Sequence, residues 1–443
     1  MPPILLWRPF LFAWLWWRQE LWERDLEYVL LEVIPMAETI EPVSAMEQAL
    51  SGLWGVYSSI EGIKHFRKKW IWGRKLYHFC IEIISIGDRP HIFLRILKEH
   101  EDSVKAAFFG PYPAIEINRA KDDYTRYISH NVPNSDWNLY GLDEKLMRPD
   151  IYPIKTYKMF FEERPEMIRE EKKRIDPIAT LLEGMSMLHH TKEQLWVQLR
   201  ITPVSSKDHD YMKVGKKLVN KLVFRAQQES KSSKPGEKGF IPPEMKLTPR
   251  ERDVVKAIEE KISKPAYETN IRVLYFGRPD IFKAGRRSLA ENYFNSFATR
   301  DMNGFNKWSK TKTRIYHCMV GRRLYMRQRN IFWRYMMREI PLYPRKGGTF
   351  ILNNEELATI FHPPVTVRAV GTFLPRINAR TGEAPVELPT EEDEKDDGPK
   401  LYEPSSEPSG PIRSRKGEEP PELAETPFEQ SQEQLEEESS QTE

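Results

Sequence analysis

Between Tyr28 and Ala120 the spacing of apolar residues switches repeatedly between strand and helix periods, and this switching limits the fold more than any other feature of the chain. Tyr28–Pro35 (YVLLEVIP) has the β-branched and aromatic character of a strand and stops at a proline. Met46, Leu50, Leu53, Trp54 and Tyr57 recur at helical spacing, with Ser44 and Glu47 placed as a capping box. KLYHFCIEIISI and HIFLRIL are strand-like runs separated by Gly87, Asp88, Arg89 and Pro90, the signature of a hairpin. EHEDSVKAAFFGPYP reads as helix up to Gly110, and AIEINRA closes the series as a short strand. The order β, α, β, β, α, β predicts a ferredoxin-like (split βαβ) unit over residues 27–134, with four antiparallel strands and both helices on one face.

A second unit over residues 150–340 repeats the theme less regularly, beginning with YPIKTYKMFF (Tyr152 to Phe161). DPIATLLEGMSML is a helix with an acidic cap and a first-turn proline, and QLWVQLRITPV is an alternating strand. A helical insertion at about 205–264, broken by the loop-forming ESKSSKPGEKG, precedes the strand TNIRVLYFG, and ENYFNSF belongs to a helix starting near Asp280. Residues 341–389 form a C-terminal extension. From 390 onward the chain is rich in Glu, Pro, Ser and Gln, which cannot bury a core, so a disordered acidic tail is expected over 390–443. The fold class is therefore α+β.

The amino terminus, residues 1–26, calls for a separate reading. Ile4 to Trp17 is almost wholly apolar, with four tryptophans, and is interrupted only by Arg8 and Pro9. It is shorter than the roughly 20 apolar residues a bilayer span requires, and no small-residue cleavage site of a signal peptide follows it. Tryptophan favours the headgroup boundary, so Trp7, Phe10, Trp14, Trp16 and Trp17 are the candidate membrane anchor of a short hydrophobic helix, the alternative being an amphipathic helix packed on the body.

Charge divides the chain. Residues 391–443 hold 18 acidic and 5 basic side chains, whereas the rest carries 63 bases against 47 acids, a net +16. A basic body favours anionic surfaces, either a membrane leaflet or nucleic acid. The segment from Lys307 to Arg338 interleaves bases with Trp308, Tyr316, Tyr325, Phe332, Trp333 and Tyr335. Arg322, Arg323, Arg327 and Arg329 are accordingly candidate contacts of a basic single-stranded nucleic-acid-binding module, the alternative being a solvated helix face with Leu324, Phe332 and Tyr335 turned inward.

Catalytic signatures are missing. Gly215-Lys216 lacks both the earlier glycine and the following Ser or Thr of a phosphate loop, and no GxGxxG, GxSxG, SxxK or HExxH occurs. Cys80 and Cys318 are far apart in the chain, which suggests neither a disulfide framework nor a zinc site. Asp122 and Asp123 read as a cap or a solvated loop, and the adjacent His189 and His190 as residues near a helix end. No cofactor, metal or small-molecule substrate is implied, and a non-enzymatic protein is expected.

LLEVIP with SAMEQALSGL, AFFGPYPAIEINRAKDDYTRY, DIYPIKTYKMFFE, DPIATLLEGMSMLHHTKEQLWVQLRITPV, ILNNEELATIFHPP and GEAPVELP together resemble the amino-terminal, membrane-anchored region of type IV secretion and conjugation ATPases of ultra-small bacteria, an uncharacterised domain. In that family a HerA-like P-loop motor follows the segment matching FHPP and GEAPVELP; here the acidic tail stands in its place. The resemblance implies a motorless accessory or docking domain at the cytoplasmic face of the cell membrane, working with a separately encoded motor ATPase or secretion component of a DNA or protein translocation apparatus.

Overall fold

Alternation along β2 (Phe79–Ile86) sends Phe79, Ile81 and Ile83 into one buried cluster and Ile84 into another on the opposite face, so this strand is covered on both sides. The same holds along β6 (Glu193–Val204), where Leu195, Val197, Leu199 and Ile201 oppose Trp196. These strands sit at the middle of a nine-stranded sheet in a computed structural model that describes residues 2–35, 42–56, 70–87, 89–161, 176–206, 209–232, 247–340 and 348–364.

The remaining strands are β1 (Tyr28–Ile34), β3 (Arg89–Leu97), β4 (Glu116–Arg119), β5 (Asn138–Leu146), β7 (Ala266–Gly277), β8 (Phe305–Lys307) and β9 (Phe350–Asn353). They run β4-β1-β3-β2-β6-β7-β5-β8, with β9 on β7. Every pairing is antiparallel. Read inward from β4, the first four strands come in the chain order fourth, first, third, second. Read inward from β8 and counting from β5, the other four repeat that order. The two sets meet at β2 and β6, which pair from Phe79↔Ile201 to Ile84↔Trp196.

One face carries α2 (Val43–Trp54) packed on α3 (Glu101–Phe109), and α5 (Pro177–Ser186) packed on α8 (Ser288–Asn295). They share the largest apolar cluster with α10 (Asn354–Ile360). The other face is covered by α9 (Val320–Met337), whose Ile331, Phe332 and Tyr335 join Trp196, Leu274 and Phe276. The inserted helices α6 (Tyr211–Ser232) and α7 (Pro249–Ser263) pack on each other around a third cluster containing Tyr211, Ile258 and Ile262.

Several local expectations need correction. The Ser44–Glu47 capping box does not form: Pro42 occupies the N-cap of α2 without a side-chain cap. Glu47 instead accepts from the Tyr157 hydroxyl at 3.0 Å and Lys264 at 2.6 Å. The strand β5 lies ahead of the Tyr152–Phe161 run from which the sequence reading starts its second unit, and Tyr157–Phe161 is a helical turn, α4. Helical structure after β7 begins with a 3₁₀ turn at Ala284 and α8 at Ser288, later than Asp280. The segment ESKSSKPGEKG begins inside α6, through Ser232, and its remainder lies outside the described residues. Within the described part of the C-terminal extension, β9 pairs with Ala266–Thr269 of β7 and α10 packs on α2. The acidic tail expected over 390–443 lies outside the described residues.

Candidate functional site

The amino-terminal apolar run becomes α1 (Pro2–Arg24). Its carboxyl half is fastened to the segment leading into β2. Trp14 Nε1 donates to the Trp70 carbonyl at 3.0 Å and Arg18 Nε to the Ile71 carbonyl at 2.5 Å, while Trp22 stacks on Tyr77 with centroids 5.9 Å apart. Gly73 has φ +68°, and a Cβ there would collide with the Arg18 carbonyl, so the close approach of the two segments requires glycine. Lys75 completes the joint, 2.6 Å from Glu23 of α1 and 3.1 Å from Glu339 just beyond α9. Burial and then the Glu339 charge raise the Glu23 carboxyl; Glu339, against its own burial, is lowered by Lys75 and Arg200.

Four of the five anchor candidates can be placed with their side chains. Phe10, Trp14, Trp16 and Trp17 are each between 40% and 61% exposed, which is high for large apolar groups. Trp7 lies in α1, with its side chain outside the described residues. The fold adds Ile71 and Trp72, 46% and 45% exposed, so the aromatic surface is built from two segments. The Arg74 guanidinium lies 5.7 Å from the Trp72 ring centroid. The sequence signal for this second segment was the repeated tryptophan in KKWIWGRK, which sequence reasoning passed over. Among the described residues no helix is long and apolar enough to cross a membrane.

The four arginines proposed for nucleic acid all fall on α9. Arg322, Arg323 and Arg327 line one shallow groove of about 300 Å³ with Met319 and Met326. Arg329 is held elsewhere, donating to Tyr325 Oη at 2.9 Å and Asn131 Oδ1 at 3.2 Å. Arg323 donates to the His317 carbonyl at 2.8 Å and Arg327 to the Lys312 carbonyl at 2.9 Å. These acceptors are carbonyl, amide and hydroxyl oxygens, so the bonds position the guanidinium groups without cancelling their charge.

Beneath α9 the sheet carries a buried polar network that fixes the helix in place. Glu82, fully buried on β2, accepts from Gln198 Nε2 (2.7 Å) and Arg338 Nε (3.0 Å) on Oε1, and from the Tyr124 hydroxyl (2.8 Å) and Arg338 Nη2 (3.2 Å) on Oε2. Arg338 also reaches Asp123 at 2.9 Å, and Asp123 caps the 3₁₀ turn at Tyr124–Tyr127. Burial opposes the Arg338 charge, but Glu82 above all keeps the group protonated. Two strands over from β2, Arg272 of β7 pairs with Asp143 of β5 at 2.8 Å, both fully buried. With both Glu82 oxygens saturated by fixed donors, this cluster acts as a clamp between sheet and helix.

Of the other polar candidates, Asp122 pairs with Arg126 at 2.9 Å on the surface, and His189 and His190 stack in the exposed turn after α5. Cys80 is buried, its thiol pushed up to about 12 by desolvation and then by Glu82, and Cys318 is exposed. No group of three or more His, Cys, Asp or Glu side chains suited to a metal ion occurs among the described residues.

A single antiparallel sheet, with helices on both faces and an exposed aromatic amino-terminal helix, defines a mixed α+β protein whose distinctive outward features are helical surfaces. Residues 115–366 match the family described as Domain of unknown function (DUF8128), and since that is more than half of the chain, the protein belongs to this family. The matched region starts just before β4 and runs through α10; α1 to α3 precede it. A comparison with curated proteins finds no match.

Proposed function

We propose that this chain is a non-catalytic docking module that rests on a membrane surface through α1 and presents its sheet body to a partner. The observation that carries the reading is the two-segment aromatic surface of Phe10, Trp14, Trp16, Trp17, Ile71 and Trp72, with Arg18 and Arg74 beside it. Tryptophan rings backed by arginine are suited to the headgroup layer, where an apolar body is buried and a polar edge stays wet. The helix then lies in the interface and does not span it. The resemblance to secretion and conjugation ATPases supports placing this surface on the cytoplasmic leaflet, with a separately encoded motor or secretion component as partner.

Sedimentation with phosphatidylcholine vesicles tests the membrane step. The full chain is expected to pellet with vesicles, and a W14S/W16S/W17S/W72S variant to remain in the supernatant; equal partitioning of the two overturns the reading. Co-purification from native membranes tests the partner, and recovery of the chain without a motor or secretion component counts against it.

We infer further that the two halves of the sheet are ferredoxin-like repeats fused edge to edge. The repeated strand order and the pairing of α2 with α3 and of α5 with α8 support this. An experimental structure in which β1 or β5 is not flanked by the third and fourth strands of its own half would exclude it.

A further inference from the structure

We propose that the outward face of α9 is a second lipid-contact surface and that it selects anionic phospholipid headgroups; this rests on the reading of α1 as an interfacial helix. From Lys307 to Arg338 the chain holds ten lysines and arginines and no Asp or Glu, although Lys307 at one end pairs with Glu291 and Arg338 at the other is buried against Glu82 and Asp123. Arg322 is exposed, and Arg323, Arg327 and Arg329 are oriented by the neutral acceptors described above. A face that positions cations without matching them attracts anions from solution.

The same face is also apolar. Gln328, Ile331, Phe332 and Tyr335 define the buried side of α9. On the opposite side Met319, Met326, Trp333 and Met337 are 64%, 52%, 49% and 49% exposed, with Arg322 and Arg323 among them. Flexible thioethers and an indole interleaved with arginines make a basic amphipathic helix surface, in which apolar groups enter the headgroup boundary while the guanidinium groups meet phosphates. Single-stranded nucleic acid fits less well. Base stacking needs free aromatic faces, yet Trp333 is the one aromatic residue on this stripe, and Tyr325 is engaged by Arg329 through its hydroxyl and with the guanidinium 5.7 Å from its ring centroid.

An ion pair shared at their carboxyl ends ties α1 to α9. Lys75 binds Glu23 near the end of α1 and Glu339 just past the end of α9, so the two helices meet at one side chain. An aromatic surface from α1 and a cationic, methionine-bearing surface from α9 would then divide the work, the first giving insertion and the second selectivity for charge.

The test is binding of the full chain to phosphatidylcholine vesicles and to vesicles of equal parts phosphatidylcholine and phosphatidylglycerol, at low and raised salt. Anionic vesicles are expected to bind more tightly, and the difference to shrink with salt. R322Q/R323Q is expected to weaken binding to anionic vesicles by about thirtyfold, from two charges near the surface, with no change on neutral ones. R322Q alone, at an exposed side chain, guards against disturbance of the helix start and should lose about fivefold. Parent-like binding of both variants to anionic vesicles overturns the proposal. Comparison with the W14S/W16S/W17S/W72S variant distinguishes the two readings: loss of neutral-vesicle binding in that variant belongs to α1, and loss of the anionic preference alone in the arginine variants belongs to α9. If the arginine variants instead lose affinity for a labelled single-stranded oligonucleotide while keeping it for anionic vesicles, the surface is a nucleic-acid site and the lipid assignment fails.

Discussion

Arg338 holds a left-handed backbone conformation, φ 54°, at the end of α9, where glycine is the usual occupant. Its guanidinium compensates by bridging Glu82 and Asp123, so one residue stops the helix and fastens it to two other elements. Arg338→Ala would leave Glu82 buried without its cation, and the expected loss is about 3–5 kcal/mol, read from urea unfolding. Arg338→Lys should recover little of it, because an ammonium cannot reproduce the planar fork. His362 in the FHPP segment is a second such residue: Nε2 lies 3.0 Å from Asp176, the N-cap of α5, and Nδ1 lies 2.9 Å from the Ala358 carbonyl. Although burial opposes the imidazolium, Asp176 raises its affinity for the proton above the ordinary value of 6.5. The contribution is therefore complete below that ordinary value and is lost as pH rises through the raised folded one. Unfolding free energy should fall across that alkaline limb, and His362→Gln should flatten it; an unchanged slope in the variant would count against the pair.

At the scale of elements, the informative joint is that between α1 and the Trp70–Lys75 segment. Gly73→Ala places a methyl group against the Arg18 carbonyl at a positive φ, so the two segments must separate. We expect limited proteolysis within α1 to accelerate in this variant while the rest of the body stays resistant; protection equal to the parent would mean that the joint tolerates the methyl. The junction of β9 and α10 behaves differently. Asn353 and Glu356 form a reciprocal capping box, and Glu356, fully buried, also meets Lys261 of α7 at 2.9 Å. The ILNNEELATIFHPP segment is thus explained by packing: it caps α10, anchors α7 and, through His362, closes onto α5.

For the whole molecule the decisive contact is the seam between β2 and β6. Its six paired positions turn Phe79, Ile81, Ile83, Val197, Leu199 and Ile201 into one apolar cluster, so the cores of the two halves are continuous across it. Calorimetry should therefore show one unfolding transition for the sheet body, and two resolved transitions would mean that the halves are energetically separate.

Local periodicity is written in the chain itself, and β1, α2, β2, β3, α3 and β4 were legible there because each depends on side chains within one or two turns or pleats. The aromatic run of α1 and the basic character of α9 were legible for the same reason. Partnership was not. Whether Ser44 or Pro42 caps α2, where β5 begins, and that Trp72 joins Trp14 at one surface all depend on groups far apart in sequence. Glu82 shows the limit best: it reads as one charge within an apolar strand, and only the strand register, the turn at Tyr124 and the end of α9 supply its partners. The sequence determined which strongly periodic elements form and which charges they carry, because those follow from neighbours along the chain. Only the tertiary structure decided which edges pair, which aromatic rings stay exposed and which arginines keep their charge uncancelled, since burial and long-range pairing exist only once the sheet has closed.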